Sequence, residues 1–559
     1  MSTKILGINC LGSYDVSASL IIDGQVVAAV EEERLNRIHK TGDFPIKSIN
    51  FCLNAENISI NDLDCIAVSG DPALYKSEFF LPLAIQYPNS NTFLRNLEMA
   101  AKHHNIENFI REETKYEGPI RFHLHHFTHW ASVYYTSNID ESAVISVDGV
   151  GESQCVLTGI AKEKSFEIIS EVKWPNSLGV LYNGISHWCG FNYKDAGKVM
   201  GLAPYGKKSE FADIFKKLII LKKDGTYEFN PDFITFGYER DTWFKGEFLE
   251  IIGKPRESGA ELTQREKDLA FSMQNAFEET MLHMLNHLYD QTKTDNICVV
   301  GGCAYNCATN GLILNDTNFK HVFVQPAAGD AGTSTGAALY DYHTFFSNSK
   351  RSIQKNTYLG PEFSNQEIEL SIKESEFNFE KLEDPSKKGA ELLKHGNIIG
   401  WFQGKMEFGP RALGNRSILA PPFPLEMKDK VNHDVKHREP FRPFAPAVLE
   451  EKYSEYFKNC ANTQYMLVNT YVHSNKINEI PAVTHVDNTA RVQSVSLEKN
   501  TLFYNLIKKF GEMSGIYVVL NTSFNDRNMP IVCSPKDAIQ CLRQTGLEHL
   551  IIGNFWIKK

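Results

Sequence analysis

Apolar and polar positions at the start of the chain predict a strand, a polar loop and a hairpin. The run Lys4–Asn9 is mostly apolar and predicts a short strand, after which residues 10–15 form a glycine-bearing polar loop. Two further apolar runs, 18–22 and 25–30, flank Asp23-Gly24, a pair typical of two-residue hairpin turns. The charged residues that follow predict a short helix.

A second strand–loop–strand unit occurs further along the chain. Residues 143–147 predict a strand, 148–153 a small acidic loop and 154–160 the returning strand. The repetition favours two related α/β halves that face a cleft, as in actin-like ATPases, where such turns hold nucleotide phosphates. Two unrelated hairpins are the alternative explanation.

The apolar spacing of residues 266–291 predicts a long helix, and a strand at 297–300 ends in Gly301-Gly302. A glycine pair in this position lets the main chain approach a ligand and offers free N–H groups. A polar stretch at 346–356 resembles a linker, after which the chain becomes rich in glycine, proline and arginine. We therefore place a domain boundary near residue 355.

Composition excludes several classes of protein. The chain has 559 residues, of which 42% are hydrophobic and 23% charged, with a net charge of -10. These values are typical of globular proteins with two or more domains and argue against a surface for nucleic acid or membrane. The start of the chain lacks the pattern of a signal peptide, and the eleven cysteines contain no CxxC pair, which favours reduced thiols. We expect a cytoplasmic protein.

Two histidines and two aspartates form a candidate metal site. His125 and His129 are four residues apart, so on a helix both side chains lie on one face. His126 stands where zinc proteases have glutamate, which disfavours that class. Asp148 and Asp330 each lie in a loop between a strand and a glycine. Two imidazoles with two carboxylates suit Fe²⁺, Mn²⁺ or Zn²⁺; incidental histidines on a helix are the alternative.

Three cations in the last third of the chain are candidates for binding phosphate. Arg411 lies in a glycine-rich segment, and Lys436 and Arg442 lie in a segment framed by proline and phenylalanine. Arginine binds phosphate oxygens in a bidentate manner, and a proline frame would hold the cations in place. A buried strand further on ends at Ser523, a position from which a hydroxyl often contacts phosphate. A solvated basic loop is the alternative.

Taken together, these segments resemble the nodulation-protein and antibiotic O-carbamoyltransferase family. The matching runs follow the family order and span nearly the whole chain: VSASLIIDGQVVAAVEEERLNR, HHFTHWAS, VISVDGVGES, GKVMGLAPYG, VVGGCAYNC, QPAAGDAGTSTGAA, GKMEFGPRALGNRS, FRPFAP, THVDNTARVQSV and VLNTSFN. As an ordered set they are highly specific.

The resemblance implies an α/β fold in two domains: an actin-like (ASKHA) domain over residues 1–355 and a YrdC-like α+β domain over residues 356–559. It implies that the second domain cleaves carbamoyl phosphate and adenylates the carbamate with ATP and Mg²⁺. The first domain, with one divalent metal (Fe²⁺ preferred, Mn²⁺ or Zn²⁺ as alternatives), would transfer the carbamoyl group to a hydroxyl of a small natural product, as in antibiotic biosynthesis. A tRNA threonylcarbamoyl-type enzyme and a non-catalytic nucleotide-binding module remain alternatives, and a homodimer is the assembly considered.

The resemblance also implies roles for individual residues. Those expected to bind the metal are His125, His129, Asp148 and Asp330; those expected to act on phosphates are Arg411, Lys436 and Arg442; those expected to bind nucleotide are Lys198, Gly301, Gly302, Asn306 and Ser523. The chain departs from the family at Tyr14, where a histidine is usual, and at His39-Lys40, where the order is exchanged. We therefore take Asp15 as the candidate base and include Lys40 as a catalytic candidate.

Overall fold

The computed structural model describes residues 2–12, 14–239, 242–346, 351–458 and 463–559. Residues 347–350 of the predicted linker lie outside the described residues. The chain divides into two compact units, Met1–Val27 with Gly42–Ile353 and Ala28–Thr41 with Gln354–Lys559. The boundary near residue 355 stays a prediction, but the segment 28–41, which we had assigned to the N-terminal domain, packs with the second unit.

Six of the strands before residue 346 coincide with the apolar runs predicted at 4–9, 18–22, 25–30, 143–147, 154–160 and 297–300, and the other six were not predicted. In chain order, the strands of this part are β1 (Lys4–Asn9), β2 (Ser17–Ile22), β3 (Gln25–Glu31), β4 (Cys65–Ser69), β5 (Ile120–His123), β6 (Glu141–Val147), β7 (Gln154–Lys162), β8 (Ser165–Lys173), β9 (Ile219–Leu221), β10 (Tyr227–Phe229), β11 (Asn296–Val300) and β12 (His321–Val324).

Helices in the same part of the chain include the predicted long helix, which is α12. They are α1 (Glu32–Asn36), α2 (Ile46–Ala55), α3 (Pro72–Leu74), α4 (Leu81–Gln86), α5 (Phe93–His104), α6 (Ile106–Thr114), α7 (His125–Tyr134), α8 (Leu178–Trp188), α9 (Ala196–Leu202), α10 (Phe211–Leu218), α11 (Gly246–Ile252), α12 (Gln264–Thr292), α13 (Cys307–Asp316) and α14 (Ala331–Phe345).

Two five-stranded sheets have the same topology. Their strand orders are β3-β2-β1-β4-β5 and β8-β7-β6-β11-β12. In each, a strand (β1 or β6) pairs antiparallel with the next strand along the chain and parallel with a later one (β4 or β11). The prediction of a repeated strand–loop–strand unit is therefore confirmed, and the fold is mixed α/β. Its assignment to the actin-like class stays a prediction.

Helix α14 packs unusually close to its neighbours. A Cβ added at Gly7 of β1 would overlap the main-chain oxygen of Ser334, and one added at Gly336 of α14 would overlap the main-chain oxygen of Thr128 in α7. Main-chain atoms cannot give way as a flexible side chain can, so only glycine permits these approaches. The distance between α7 and α14 is thus set by the absence of a side chain.

The second unit is built on one large mixed sheet. Its strands are β13 (Phe379–Lys381), β14 (Ile399–Phe402), β15 (Arg416–Ala420), β16 (Ala445–Leu449), β17 (Asn469–Tyr471), β18 (Thr489–Arg491), β19 (Gln493–Val495), β20 (Val518–Ser523), β21 (His549–Ile552) and β22 (Phe555–Lys558). Its helices are α15 (Asn365–Glu374), α16 (Pro385–Lys394), α17 (Glu426–Lys430), α18 (Tyr453–Tyr456), α19 (Thr501–Ser514) and α20 (Pro535–Gln544).

The strand order of this sheet is β13-β22-β21-β14-β15-β20-β16-β19, while β17 and β18 form a separate pair. Side chains alternate between two apolar layers, as strand geometry requires. Trp401 packs with α16 and α19, and its neighbour Phe402 packs in the layer that contains α20. Among the residues that the structure describes, none of the helices combines the length and apolar character needed to cross a membrane.

The close crossing of α7 and α14 yields a stability prediction. We expect Gly336→Ala to lower the free energy of unfolding by about 3 kcal/mol, because the new methyl group meets main-chain atoms on α7. Gly197→Ala in α9 is the matched control, since its added Cβ would meet no atom within 4 Å. Thermal unfolding of both variants measures the effect, and equal midpoints would contradict this account of the crossing.

Candidate metal centre and cationic site

Three elements of the first unit carry the predicted metal ligands. His125 and His129 lie on α7, four residues apart and therefore on one face. Asp148 directly follows β6, and Asp330 directly precedes α14. The two aspartates are thus placed at element ends, where main-chain direction is fixed but side chains remain free to turn toward a ligand.

The structure brings these four side chains together. The Nε2 atoms of His125 and His129 lie 3.1 Å apart, and Asp148 Oδ2 lies 3.1 Å from the first and 3.0 Å from the second. Asp330 Oδ1 lies 3.6 Å from both Nε2 atoms. One ligand atom from each residue lies within 4.8 Å of all the others. Such spacing is what four ligands around one small cation require.

Electrostatics within the cluster are strongly coupled. Burial opposes charge on His129, but Asp148 and Asp330 outweigh it and raise the pKa of this imidazole to about 9. Burial also opposes charge on Asp148, yet hydrogen bonds from both histidines hold its pKa well below its usual value. Burial and the charge of Asp148 raise the pKa of Asp330. The neighbouring His126, whose pKa burial lowers to about 3, is neutral.

The residues present fit a divalent metal. Asp330 Oδ1 is buried at 3.6 Å from each imidazole, too far for a hydrogen bond. Two Nε2 atoms that face one another at 3.1 Å cannot both carry protons without repulsion, whereas a shared cation would satisfy both lone pairs. Nitrogen and oxygen ligands suit Fe²⁺, Mn²⁺ or Zn²⁺.

Sequence reasoning missed the residues that hold the ligands in place. Glu152 Oε1 accepts the main-chain N–H of His125 at 2.9 Å and that of Asp71 at 2.8 Å, which fixes the start of α7. Asn9 donates to the main-chain oxygens of Asp15 and Asp330. Glu152 lies in the run VISVDGVGES, so the resemblance contained the signal, but its contacts depend on the fold.

The predicted nucleotide ligands of the first unit have several structural roles. The N–H of Gly302 donates to Asp148 Oδ1 at 3.1 Å, and Gly301 has a φ of 92° that favours glycine. Asn306 caps α13 by accepting the N–H of Thr309 at 3.1 Å, and Lys198 pairs with Asp195 at 3.0 Å. Their roles toward a nucleotide stay predictions.

Both the oxygen and the nitrogen of the Asn306 side-chain amide form hydrogen bonds with Gln274. Its Nδ2 donates to Gln274 Oε1 at 2.9 Å, and its Oδ1 accepts from Gln274 Nε2 at 3.1 Å. Tyr182 completes this buried network by donating to Gln274. Contact between Asn306 Oδ1 and an adenylate would therefore have to break an existing hydrogen bond.

Lys436 forms the centre of a cationic site in the second unit. Its ammonium donates to the main-chain oxygens of Ser523 and Asn525, at 2.9 and 2.7 Å, and to Asn525 Oδ1 at 2.6 Å. The lysine is only 4% exposed, and all three acceptors are neutral. The structure thus brings the predicted residues Lys436 and Ser523 together without a carboxylate between them.

Further cations surround Lys436 and raise the local positive charge. Burial and the charge of Arg438 hold the pKa of Lys436 well below its usual value. Burial and the charges of Arg442 and Arg491 do the same for Arg438. Neither Arg438 nor Arg491 was predicted from the sequence as a site residue, although Arg491 lies in the matching run THVDNTARVQSV. Like charges held together in this way favour an anionic ligand.

Arg411 lies on the loop between β14 and β15, and this loop is tightly anchored. Glu407 Oε1 accepts the N–H groups of Leu413 and Asn415 at 2.7 and 2.8 Å. The main-chain oxygen of Ala412 accepts from Asn521 at 3.2 Å, two residues before Ser523 on β20. The residue after Arg411 therefore lies beside the strand that carries Ser523.

Comparisons with known proteins cover almost the whole chain. The family profile described as Carbamoyltransferase N-terminus matches residues 4–339, and Carbamoyltransferase C-terminus matches residues 390–559. An uncharacterised protein of Synechocystis sp. is 37% identical over 100% of this chain and 97% of its own. Nodulation protein NolNO of Sinorhizobium fredii is 36% identical over 98% of this chain and 79% of its own.

A third relative has a named activity. The 3'-hydroxymethylcephem-O-carbamoyltransferase of Amycolatopsis lactamdurans is 30% identical to this chain, over 65% of the chain and 65% of that enzyme.

The geometry of the four-residue cluster predicts metal binding. We expect the purified protein to bind one divalent ion per chain and His129→Ala to bind it at least about 100-fold more weakly, since even changes outside the ligand set cost about 10–100-fold. Equilibrium dialysis under anaerobic conditions with Fe²⁺, Mn²⁺ and Zn²⁺, followed by elemental analysis, measures this.

The matched control is His126→Asn, which changes the imidazole adjacent to His125 in the same helix. His126 bonds to Ser146 and to the main-chain oxygen of Gln154 instead of the cluster. We expect this variant to keep its metal. Retention of the ion by His129→Ala would refute the assignment.

Proposed function

Because the chain belongs to the carbamoyltransferase family and is therefore a transferase enzyme, we propose that it moves a carbamoyl group from carbamoyl phosphate to an alcohol through a carbamoyl-adenylate. The acceptor would be a hydroxyl of a small natural product. This proposal goes beyond the names of the relatives, which refer to nodulation and to a hydroxymethylcephem.

The first step would use the cationic site of the second unit. Water cleaves carbamoyl phosphate to carbamate and phosphate; a carbamate oxygen then attacks the α-phosphorus of ATP, and the bond to the β-phosphate breaks to release pyrophosphate. Lys436, Arg438 and Arg442 would offset the negative charge of these phosphates, as arginine and lysine do in phosphoryl transfer. Arg411 and Ser523 would supply further contacts.

Charge balance supports this use of the site. The ammonium of Lys436 bonds to neutral acceptors, and the arginines near it lower its pKa together with burial. Two carboxylates of this region already have partners: Glu439 pairs with Arg442 at 3.6 Å, and Asp526 pairs with His437 at 2.8 Å. An anionic ligand would therefore relieve repulsion that the protein alone does not.

The second step would use the cluster of His125, His129, Asp148 and Asp330. The acceptor oxygen bonds to the carbamoyl carbon, the bond from that carbon to the adenylate oxygen breaks, and AMP leaves. A metal held by the cluster would supply Lewis acidity for the charge that develops on the carbonyl or the departing phosphate. The proton of the acceptor hydroxyl needs a base nearby.

Asp15 is the preferred base over its neighbour Tyr14. Burial and the charge of Asp330 raise the pKa of Tyr14 far above neutrality, so its phenol stays protonated and cannot accept the proton. The main chain at Asp15 is fixed, since Asn9 donates to its carbonyl oxygen at 3.1 Å. Its φ of 59° lies in the left-handed region, which aspartate adopts more readily than most residues other than glycine and asparagine.

A single observation carries the proposal: each unit contains one concentrated charged site, and the two sites suit opposite halves of the reaction. The first unit holds a nitrogen and carboxylate cluster of metal-site dimensions, and the second holds clustered cations around Lys436, whose ammonium donates to neutral oxygens. Adenylation needs the second kind of site, and transfer from the adenylate to an alcohol needs the first.

The two half-reactions should be separable by mutation. We expect Arg442→Met to reduce ATP–pyrophosphate exchange in the presence of carbamoyl phosphate by at least about 100-fold, because phosphate charge is no longer offset. We expect His129→Ala to retain exchange within about threefold but to form no carbamoylated alcohol, since it lacks only the transfer site.

Exchange of labelled pyrophosphate measures the first step, and mass spectrometry of candidate acceptors measures the second. Lys452→Met is the control, because the contacts of this lysine are a solvent-exposed pair with Glu455 at 3.3 Å and the face of the Tyr517 ring, and neither residue belongs to the proposed sites. If wild-type protein shows no exchange that depends on carbamoyl phosphate, the adenylate route is wrong. If His129→Ala transfers as well as wild type, the role of the cluster is wrong.

A further inference from the structure

A charged segment of the second unit, residues 31–37, is buried far more than its composition would suggest. We call these residues the EEERLNR segment. Glu31 and Arg34 are each only 5% exposed, although both side chains carry charge. Burying such groups is costly unless their polar atoms find partners, so the positions of those partners indicate what the segment does.

Glu31 and Arg34 bond to the main-chain N–H and oxygen of the same residue, Gly409, in the glycine-rich loop between β14 and β15. Glu31 Oε1 accepts the N–H of Gly409 at 3.0 Å, and Arg34 Nη2 donates to the main-chain oxygen of Gly409 at 3.2 Å. Gly409 has a φ of 116°, a conformation that residues with a Cβ adopt only with strain. Two side chains thus fix an unusual main-chain conformation.

The far end of the EEERLNR segment is anchored as well. Arg37 donates to the main-chain oxygens of Pro530 and Ile531, at 3.0 and 2.6 Å. Leu35 packs against a small apolar cluster that contains Met406, Ile531 and Cys533. The EEERLNR segment is therefore anchored at both ends, so Glu31 and Arg34 cannot move freely with Gly409. The segment can hold the glycine-rich loop in one position.

We propose that Glu31 and Arg34 are positioning residues for Arg411, two residues beyond Gly409. Arg411 lies between two anchored points of its loop. Gly409 precedes it and is held by the EEERLNR segment, and Leu413 follows it and is held by Glu407 at 2.7 Å. Fixing the chain on both sides fixes the direction in which the Arg411 side chain leaves it.

This role rests on the proposed function, in which Arg411 contacts the phosphates of carbamoyl phosphate or ATP. Reaction rates depend steeply on the placement of such a cation, and a displacement of about 1 Å can cost about 100-fold. Neither Glu31 nor Arg34 needs to touch a substrate for its loss to slow the reaction, because the loop would carry the displacement to Arg411.

A double-mutant cycle tests whether Glu31 acts through Arg411. We expect Glu31→Ala to lower kcat/KM for carbamoyl phosphate in ATP–pyrophosphate exchange by at least about 30-fold. Combined with Arg411→Ala, it should cost no more than Arg411→Ala alone, since the group it positions is already absent. Glu31→Gln, which keeps an oxygen to accept the Gly409 N–H, should stay within about fivefold of wild type.

The control for general loss of stability is Asp384→Ala. Asp384 caps α16 by accepting the N–H of Lys387 at 2.9 Å and pairs with Lys509. This variant should unfold at a lower temperature yet keep kcat/KM within about twofold. Effects of Glu31→Ala and Arg411→Ala that multiply in the double variant would overturn the proposal, as would a loss in Asp384→Ala equal to that in Glu31→Ala.

Hydrogen–deuterium exchange separates failure of this proposal from failure of the proposed function. We expect the amide hydrogens of residues 407–409 and of Arg411 to exchange at least about tenfold faster in Glu31→Ala and at the wild-type rate in Asp384→Ala. Unchanged exchange in Glu31→Ala would overturn the contact itself. If wild-type protein is inactive, the same cycle is measured on the binding of pyrophosphate by calorimetry, where multiplying effects would again overturn the proposal.

Discussion

The Nε2 atoms of His125 and His129 lie 3.1 Å apart, and both lie within hydrogen-bond distance of one oxygen of Asp148. The packing of the first unit has to hold these two nitrogens together. Facing nitrogens repel unless a proton or a cation lies between them, so the elements that carry them must resist separation. The glycine at 336 lets α14 approach α7 to within main-chain contact. Because Asp330 directly precedes α14 and the histidines lie on α7, this approach also sets the distance from Asp330 to both imidazoles.

The second unit also holds mutually repelling groups close together, and here they are positively charged side chains. Lys436, Arg438, Arg442 and Arg491 raise the cost of one another's charge, which is why burial and mutual repulsion lower the pKa of the first two. Neutral oxygens from Ser523 and Asn525 hold the Lys436 ammonium without cancelling its charge. Because these oxygens are neutral, they stabilise the buried ammonium and leave its positive charge to attract an anion.

Local patterns carried most of what could be predicted from the sequence. The first hairpin, the long helix α12 and the i, i+4 pair His125 and His129 all depend on near neighbours in the chain, and the structure has them where the pattern indicated. The convergence of Asp148 and Asp330 on the histidines followed from strand and helix ends together with the family resemblance. The hairpin, the long helix and the histidine pair needed only periodicity or motif spacing.

Long-range packing decided the rest. The segment 28–41 contacts residues more than 300 positions later, and its charges gave no sign that Glu31 and Arg34 would be buried. Asn306 looks like a ligand in a glycine-rich run, yet its amide caps α13 and bonds to Gln274 on α12. Hydrogen-bond partners of this kind depend on which elements the fold brings together, and a single sequence does not contain that information.

Three buried glutamates show how the loops around both sites are held. Glu152, Glu407 and Glu31 each use one carboxylate oxygen to accept main-chain N–H groups, respectively of His125, of Leu413 and of Gly409. A carboxylate oxygen that accepts main-chain N–H groups orders a loop through strong, charge-assisted hydrogen bonds. Had the same carboxylates paired with Lys436 or Arg438, they would have neutralised the charge that the site needs. Anchoring through the main chain therefore separates the rigidity of each loop from the charge of the side chains it presents.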